Sequence, residues 1–123
     1  MLQEYTQVRQ IEGEGKRRWF SDEYFDLIVW YDSDETQITG FQLCYDIGHA
    51  PRAFTWQQDT GSTHHRIDDG ENRPGKFKAT PVLVPDGRFA AETIAHRFQQ
   101  ASRQISPALA QFIYAKILQY SPA

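Results

Sequence analysis

A dense group of chemically versatile side chains occupies residues 64–71 of the chain. The segment reads His64-His65-Arg66-Ile67-Asp68-Asp69-Gly70-Glu71, so it combines two imidazoles, one guanidinium and three carboxylates. Side chains of these types could bind a metal ion or a small polar ligand, or transfer protons. Their spacing matches no established ligand or catalytic motif. The segment therefore marks a candidate site, and the sequence leaves open whether the protein is an enzyme.

A metal site at this segment would need a ligand from another part of the chain. Neighbouring residues on a strand point to opposite faces, so His64 and His65 cannot both bind one ion from the same side. One histidine would join carboxylates of the segment and one distant ligand, the candidates being Asp68, Asp69, Glu71, His49, His96 and Asp26. Histidine with carboxylates suits zinc, manganese or non-haem iron. The alternative to a metal site is purely structural: one histidine packs among aromatic rings, and the Asp68-Asp69-Gly70 segment forms a turn that ends the strand.

A catalytic interpretation would use a histidine held by a nearby aspartate as general base. Arg66 would then hold an anionic group, and Glu71 would serve as a further acid. Cys44 is the conceivable nucleophile, but a thiolate needs a nearby cation or a helix N-terminus. A lone cysteine within a strand is more often a small packing residue. The cofactor, if any, stays unspecified.

Alternation of apolar and polar residues predicts an antiparallel sheet in the first two thirds of the chain. Strands are expected over residues 25–31, 37–45, 52–57 and 62–67, with weaker candidates over 5–10 and 16–20. The run 81–85 is bracketed by prolines and predicts an edge strand or an extended segment.

The apolar period lengthens to that of a helix after Asp86, which is a reasonable N-cap for a first helix. Ser106 followed by Pro107 predicts the start of a second helix. The sequence thus predicts an α+β fold over residues 1–123 as a single domain. An antiparallel sheet of four to six strands forms the N-terminal two thirds, and two C-terminal helices pack on one face.

Two helices can cover only one face of such a sheet. We expect them to cover the side that carries Phe25, Leu27, Val29, Tyr31, Phe41, Leu43 and Tyr45. The opposite face would present Asp26, Trp30, Gln42, Gln57 and one of the paired histidines. Alternation through residues 64–67 places His65 with Ile67 toward the core, and His64 with Arg66 outward.

The uncovered face supplies the leading functional hypothesis. Tyr24, Ile28 and Trp30 would form an apolar patch there, and such patches usually mark an interface. Homodimers are the commonest assemblies, so we expect a self-associating binding or regulatory module. The alternative is a small-ligand or metal-dependent enzyme that uses His64, His65, Arg66, Asp68, Asp69 and Glu71.

Composition and charge indicate which classes of partner the protein binds and where in the cell it is located. The 123 residues carry a formal charge of −3, which argues against nucleic-acid binding even though Lys16, Arg17 and Arg18 precede Trp19 and Phe20. No apolar run approaches the roughly 18 residues of a membrane span, and no signal peptide is recognisable. Together with the single Cys44, these features predict a cytoplasmic protein of bacterial type. No string of residues matches the motif of a named family.

Overall fold

The computed structural model of the protein describes residues 1–5, 10, 15–32, 37–68, 82–85 and 90–120, without the side chains of 67, 68 and 82–85. Within these residues the chain forms seven strands and then two helices. The strands are β1 (Gln3–Glu4), β2 (Arg17–Ser21), β3 (Phe25–Tyr31), β4 (Ile38–Tyr45), β5 (Arg52–Gln57), β6 (Gly61–Asp68) and β7 (Val82–Pro85). The helices are α1 (Ala91–Ala101) and α2 (Pro107–Gln119).

The described strands form one antiparallel sheet in which strand order follows chain order, β1 to β7. The α+β class, with the sheet first and the two helices last, is confirmed. Six of the strands are four to eight residues long, and β1 adds a two-residue edge. β3 and β5 have the bounds that alternation predicts, because short loops and a strict two-residue period leave little freedom of register.

The register defines the two faces of the sheet. Phe20, Leu27, Leu43, Phe54 and His64 are successive partners across β2 to β6 and form one row on what we term the helix-covered face. The adjacent row, Ser21, Asp26, Cys44, Ala53 and His65, belongs to the opposite side, which we term the open face.

Aromatic contacts fix both helices on the helix-covered face, as expected. In α1, Phe98 meets Phe25 edge-to-face with the ring centroids 5.9 Å apart. In α2, Phe112 meets Phe41 at 6.4 Å and Trp56 at 5.1 Å. These contacts join the buried residues of the sheet and the helices into one hydrophobic cluster. No helix in the described part of the chain has the length and hydropathy needed to cross a membrane.

The two helix starts differ in how well the sequence indicates them. α2 begins as predicted, with Pro107 in its first turn and the Ser106 hydroxyl accepting from the Leu109 N–H at 3.5 Å. α1 has Ala90 as its N-cap, without a side-chain hydrogen bond, so the predicted cap at Asp86 is wrong; Asp86 itself lies outside the described residues. Burial of Ile94, Ala95 and Phe98 against the sheet sets the position of this helix, and tertiary packing routinely outweighs a capping signal.

Candidate functional site

His64 lies inside the protein, with only 4% of its surface exposed. Its strand partner is the buried Phe54, and its Nε2 is hydrogen-bonded to the Tyr45 hydroxyl at 2.6 Å. The two rings are stacked, 5.8 Å apart at an interplanar angle of 13°. The predicted orientation of the histidine pair is therefore wrong: His64 faces the core, and His65 lies on the open face. The hairpin that joins β5 and β6 sets this register, and a shift by one residue exchanges the two faces of a strand.

Tyr24 belongs to the same aromatic stack and not to the open face. Its ring stacks on Tyr45 at 6.4 Å, and the guanidinium carbon of Arg97 lies 3.7 Å from the centre of its ring. The predicted grouping of Tyr24 with Ile28 and Trp30 is wrong. Tyr24 precedes β3 and lies in a turn closed by Asp22, whose carboxylate accepts from the Tyr24 and Phe25 N–H groups, so strand alternation does not apply to it.

Among the described side chains, those of the 64–71 segment do not lie close to their proposed distant ligands. Asp26 and His65 occupy one row of the open face but are separated by β4 and β5, about 14 Å at ordinary strand spacing. Arg66 is exposed, and its partner in the β5–β6 ladder is Arg52. The other two histidines contact residues on their own segments, His49 with Asp46 and His96 with Gln100. Asp69, Glu71 and the Asp68 side chain lie outside the described residues. Among the described residues no three His, Cys, Asp or Glu side chains form a group that could hold a metal ion.

The open face carries a connected set of apolar side chains at its β2–β3 side. Trp19 is the direct strand partner of Ile28, and Trp30 follows Ile28 by one full alternation. Trp19 is 37% exposed, and its indole makes an edge contact at 5.5 Å with Tyr5, which is 49% exposed. Ile28 and Trp30 were predicted for this surface, whereas Trp19 and Tyr5 were not. The signal for Trp19 was its alternation with the buried Phe20 in the weakly predicted second strand.

Gly40 on β4 lies beside the Trp30 ring, and the backbone of β5 approaches it too closely for a side chain. A Cβ atom at position 40 would lie 3.5 Å from Cε3 of Trp30 and 2.9 Å from the Trp56 carbonyl oxygen. The second distance is shorter than real Cβ atoms show, so a side chain here would displace backbone.

Polar groups continue the open face beyond the apolar patch. The Trp19 indole N–H donates to the half-buried Asp26 carboxylate. In the row that contains Ile28, Gln42 donates from Nε2 to the Thr55 hydroxyl at 3.2 Å. Burial raises the pKa of Asp26, and the indole hydrogen bond offsets part of that rise. The result is an apolar patch bordered by a carboxyl group that is already poorly solvated.

Cys44 lies beside Asp26 in the same row and is not an activated nucleophile. Burial, and secondarily the Asp26 charge, raise the pKa of the thiol to about 11 from an ordinary value of 9.0. A reactive cysteine requires the opposite environment, a nearby cation or helix N-terminus. The packing role is therefore the better account of Cys44.

Alkylation kinetics will test this assignment of Cys44. We expect the folded protein to react with iodoacetamide at pH 7.5 about 100-fold more slowly than the same protein unfolded in urea, because the thiolate population falls tenfold per unit of pKa. The reaction is followed by mass spectrometry of the intact chain. A folded-state rate equal to or above the unfolded one would restore Cys44 as a candidate nucleophile.

Comparisons of the chain with protein-family models, with curated proteins and with solved structures found no match.

Proposed function

We propose that the protein is a binding module that self-associates through its open face. The observation that carries this proposal is the continuous apolar surface of Trp19, Ile28 and Trp30 on the side of the sheet opposite both helices. A monomer normally leaves only small apolar patches in water, and a larger patch usually belongs to an interface. Trp and other aromatic residues are also the side chains most enriched at the centres of interfaces.

A second copy of the same chain is the partner that this surface suits best. Two sheets of this kind pack face to face about 10 Å apart, with strands within about 30° of each other, and a twofold axis brings the same rows into contact. Charge does not oppose the contact strongly. One row of the open face has no ionisable side chain; it consists of Trp19, Ile28, Gln42, Thr55 and Thr63. The neighbouring row on the same face contains one carboxylate, that of Asp26.

The domain organisation and the cellular location that we propose rest on the sequence. The module would be a single domain acting in the cytoplasm, where Cys44 stays reduced.

Substitution of Ile28 by lysine tests the proposal. Ile28 lies between Trp19 and Trp30, so a charge there would be buried without a partner in the dimer. We expect the wild-type protein to form dimers at micromolar concentration, and Ile28→Lys to weaken the dimerisation constant by about 100-fold or more. Sedimentation equilibrium over a range of concentrations measures both values.

Leu118→Lys is the matched control. Leu118 is 45% exposed on α2, so the same chemical change occurs on the helical side of the molecule and is expected to leave dimerisation within about threefold of wild type. Thermal melts establish that both variants fold. A wild-type protein that stays monomeric at several hundred micromolar, or a control that weakens association as much as Ile28→Lys, would contradict the proposal.

A further inference from the structure

Asp26 occupies a position that a second copy would cover. It lies on β3 two residues from Ile28, and its Cα is paired with Ser21 on β2 and with Cys44 on β4. One carboxylate oxygen accepts from the Trp19 indole, which itself belongs to the apolar patch. The carboxyl group is therefore attached to the surface that the proposed function places in the interface.

No cation pairs with this carboxylate among the described residues. β2 presents Trp19 and Ser21 to it, and the Ser21 hydroxyl is bonded to the Tyr5 hydroxyl at 2.8 Å. β4 presents the Cys44 thiol, which stays neutral because its pKa is raised to about 11. Beyond these neighbours, the nearest charged or titratable groups on the open face are His65 and Arg17. His65 lies three strands away from Asp26, and Arg17 is the strand partner of Trp30, four residues along β3 from Asp26.

A carboxylate that is covered by a second sheet loses the water that solvates it. Without a cation in place of that water, the ionised form is strongly disfavoured and the group takes up a proton instead. The neutral acid keeps its bond from the indole, and its uncharged hydroxyl costs much less to bury than the carboxylate does. Burial within one chain already raises the pKa of Asp26, so the single chain shows the beginning of the same effect.

We propose that self-association of this protein is linked to protonation of Asp26, each copy taking up one proton when the open faces meet. This inference rests on the proposed function and adds its regulation. The linkage has a definite sign. A dimer that binds more protons than two monomers gains affinity as the pH falls and loses it as the pH rises through the pKa of the covered carboxyl. Two copies of Asp26 allow a change of up to about 100-fold in the dimerisation constant per pH unit inside that window.

Asp26→Asn provides the test, because the amide oxygen can still accept from Trp19 while the side chain cannot ionise. Dimerisation constants are measured by sedimentation equilibrium from about pH 5 to about pH 8. We expect the wild-type dimer to weaken at least about tenfold across this range. Asp26→Asn should stay within about threefold of the low-pH wild-type value throughout.

His65→Gln, combined with wild-type Asp26, is the second control. His65 is an ionisable side chain on the same face, so its own contribution has to be separated. We expect His65→Gln to retain the full pH dependence of the wild type, and thermal melts at each pH establish that all variants are folded.

The outcomes distinguish the two proposals. A wild-type dimer whose affinity does not change with pH, or an Asp26→Asn dimer that keeps the wild-type dependence, overturns the proton linkage and leaves self-association standing. Folded wild-type and Asp26→Asn proteins that both stay monomeric at every pH overturn the proposed function, and the linkage with it.

Discussion

Replacing His64 with alanine is expected to lower the free energy of unfolding by about 2–4 kcal/mol. The side chain is 4% exposed, stacks on Tyr45 and holds the Tyr45 hydroxyl at 2.6 Å. Its removal opens space in the core and leaves a buried hydroxyl without this partner, and both effects destabilise the folded state. Urea unfolding followed by circular dichroism measures the loss.

His65→Ala is the control for position and chemistry, because it removes the same side chain one residue along β6. His65 lies on the open face and is only partly buried, so we expect a loss of no more than about 1 kcal/mol. Tyr45→Phe should fall between the two, since it keeps the stacked ring and removes only the hydroxyl. Equal losses for the two histidine variants, or a larger loss for His65, would mean that β6 is paired one residue out of register.

Replacing Gly15 with alanine is expected to cost about 3 kcal/mol or more. Gly15 has φ of +77°, and a Cβ atom there would lie 2.2 Å from the Tyr31 carbonyl oxygen. This is a clash with backbone, and the neighbouring Lys16 carbonyl accepts from the Tyr31 N–H at 2.9 Å, so relief would disturb the β2–β3 ladder. Thermal and urea unfolding give the free-energy difference.

Gly61→Ala separates the clash from the backbone strain. Gly61 has φ of +81°, almost the same as Gly15, but a Cβ atom there meets nothing within 4 Å. Only the cost of the left-handed conformation applies, about 1–2 kcal/mol. The difference between the two variants therefore measures the close approach to Tyr31. If Gly61→Ala is as destabilising as Gly15→Ala, the steric explanation fails.

The antiparallel sheet could be predicted from the sequence because the short strands alternate clearly, and each strand pairs with its neighbour in the chain. Phe25–Tyr31 shows why: its odd positions are all apolar, so one face is specified over the entire strand. Ser106 and Pro107 similarly combine two independent start signals, and α2 begins there. In such segments the local preference and the tertiary packing agree.

The orientation of the histidine pair could not be predicted by the same means. Residues 62–66 contain no large apolar side chain, so the predicted orientation depended on Ile67 alone, at the end of the strand. The pairing of His64 with Phe54 decides it, and that pairing depends on the turn between Gln57 and Gly61. The face on which Tyr24 lies was mispredicted for a different reason, because a residue in a turn does not follow the two-residue period of a strand. The apolar part of the candidate surface was therefore predicted only through Ile28 and Trp30, and its polar part through Asp26, Gln42 and Gln57.

The sequential order of the strands has a consequence for how the chain is made. The hairpins from β2 to β6 close loops of only three to six residues, so this part of the sheet can grow strand by strand while the ribosome is still adding residues. The rings of Phe25, Phe41 and Phe54 nevertheless stay in water until Phe98, Phe112 and Tyr120 have been synthesised. Nascent chains that end before α1 present apolar surface on both sides of the sheet, and this is the stage at which we expect chaperone capture or aggregation.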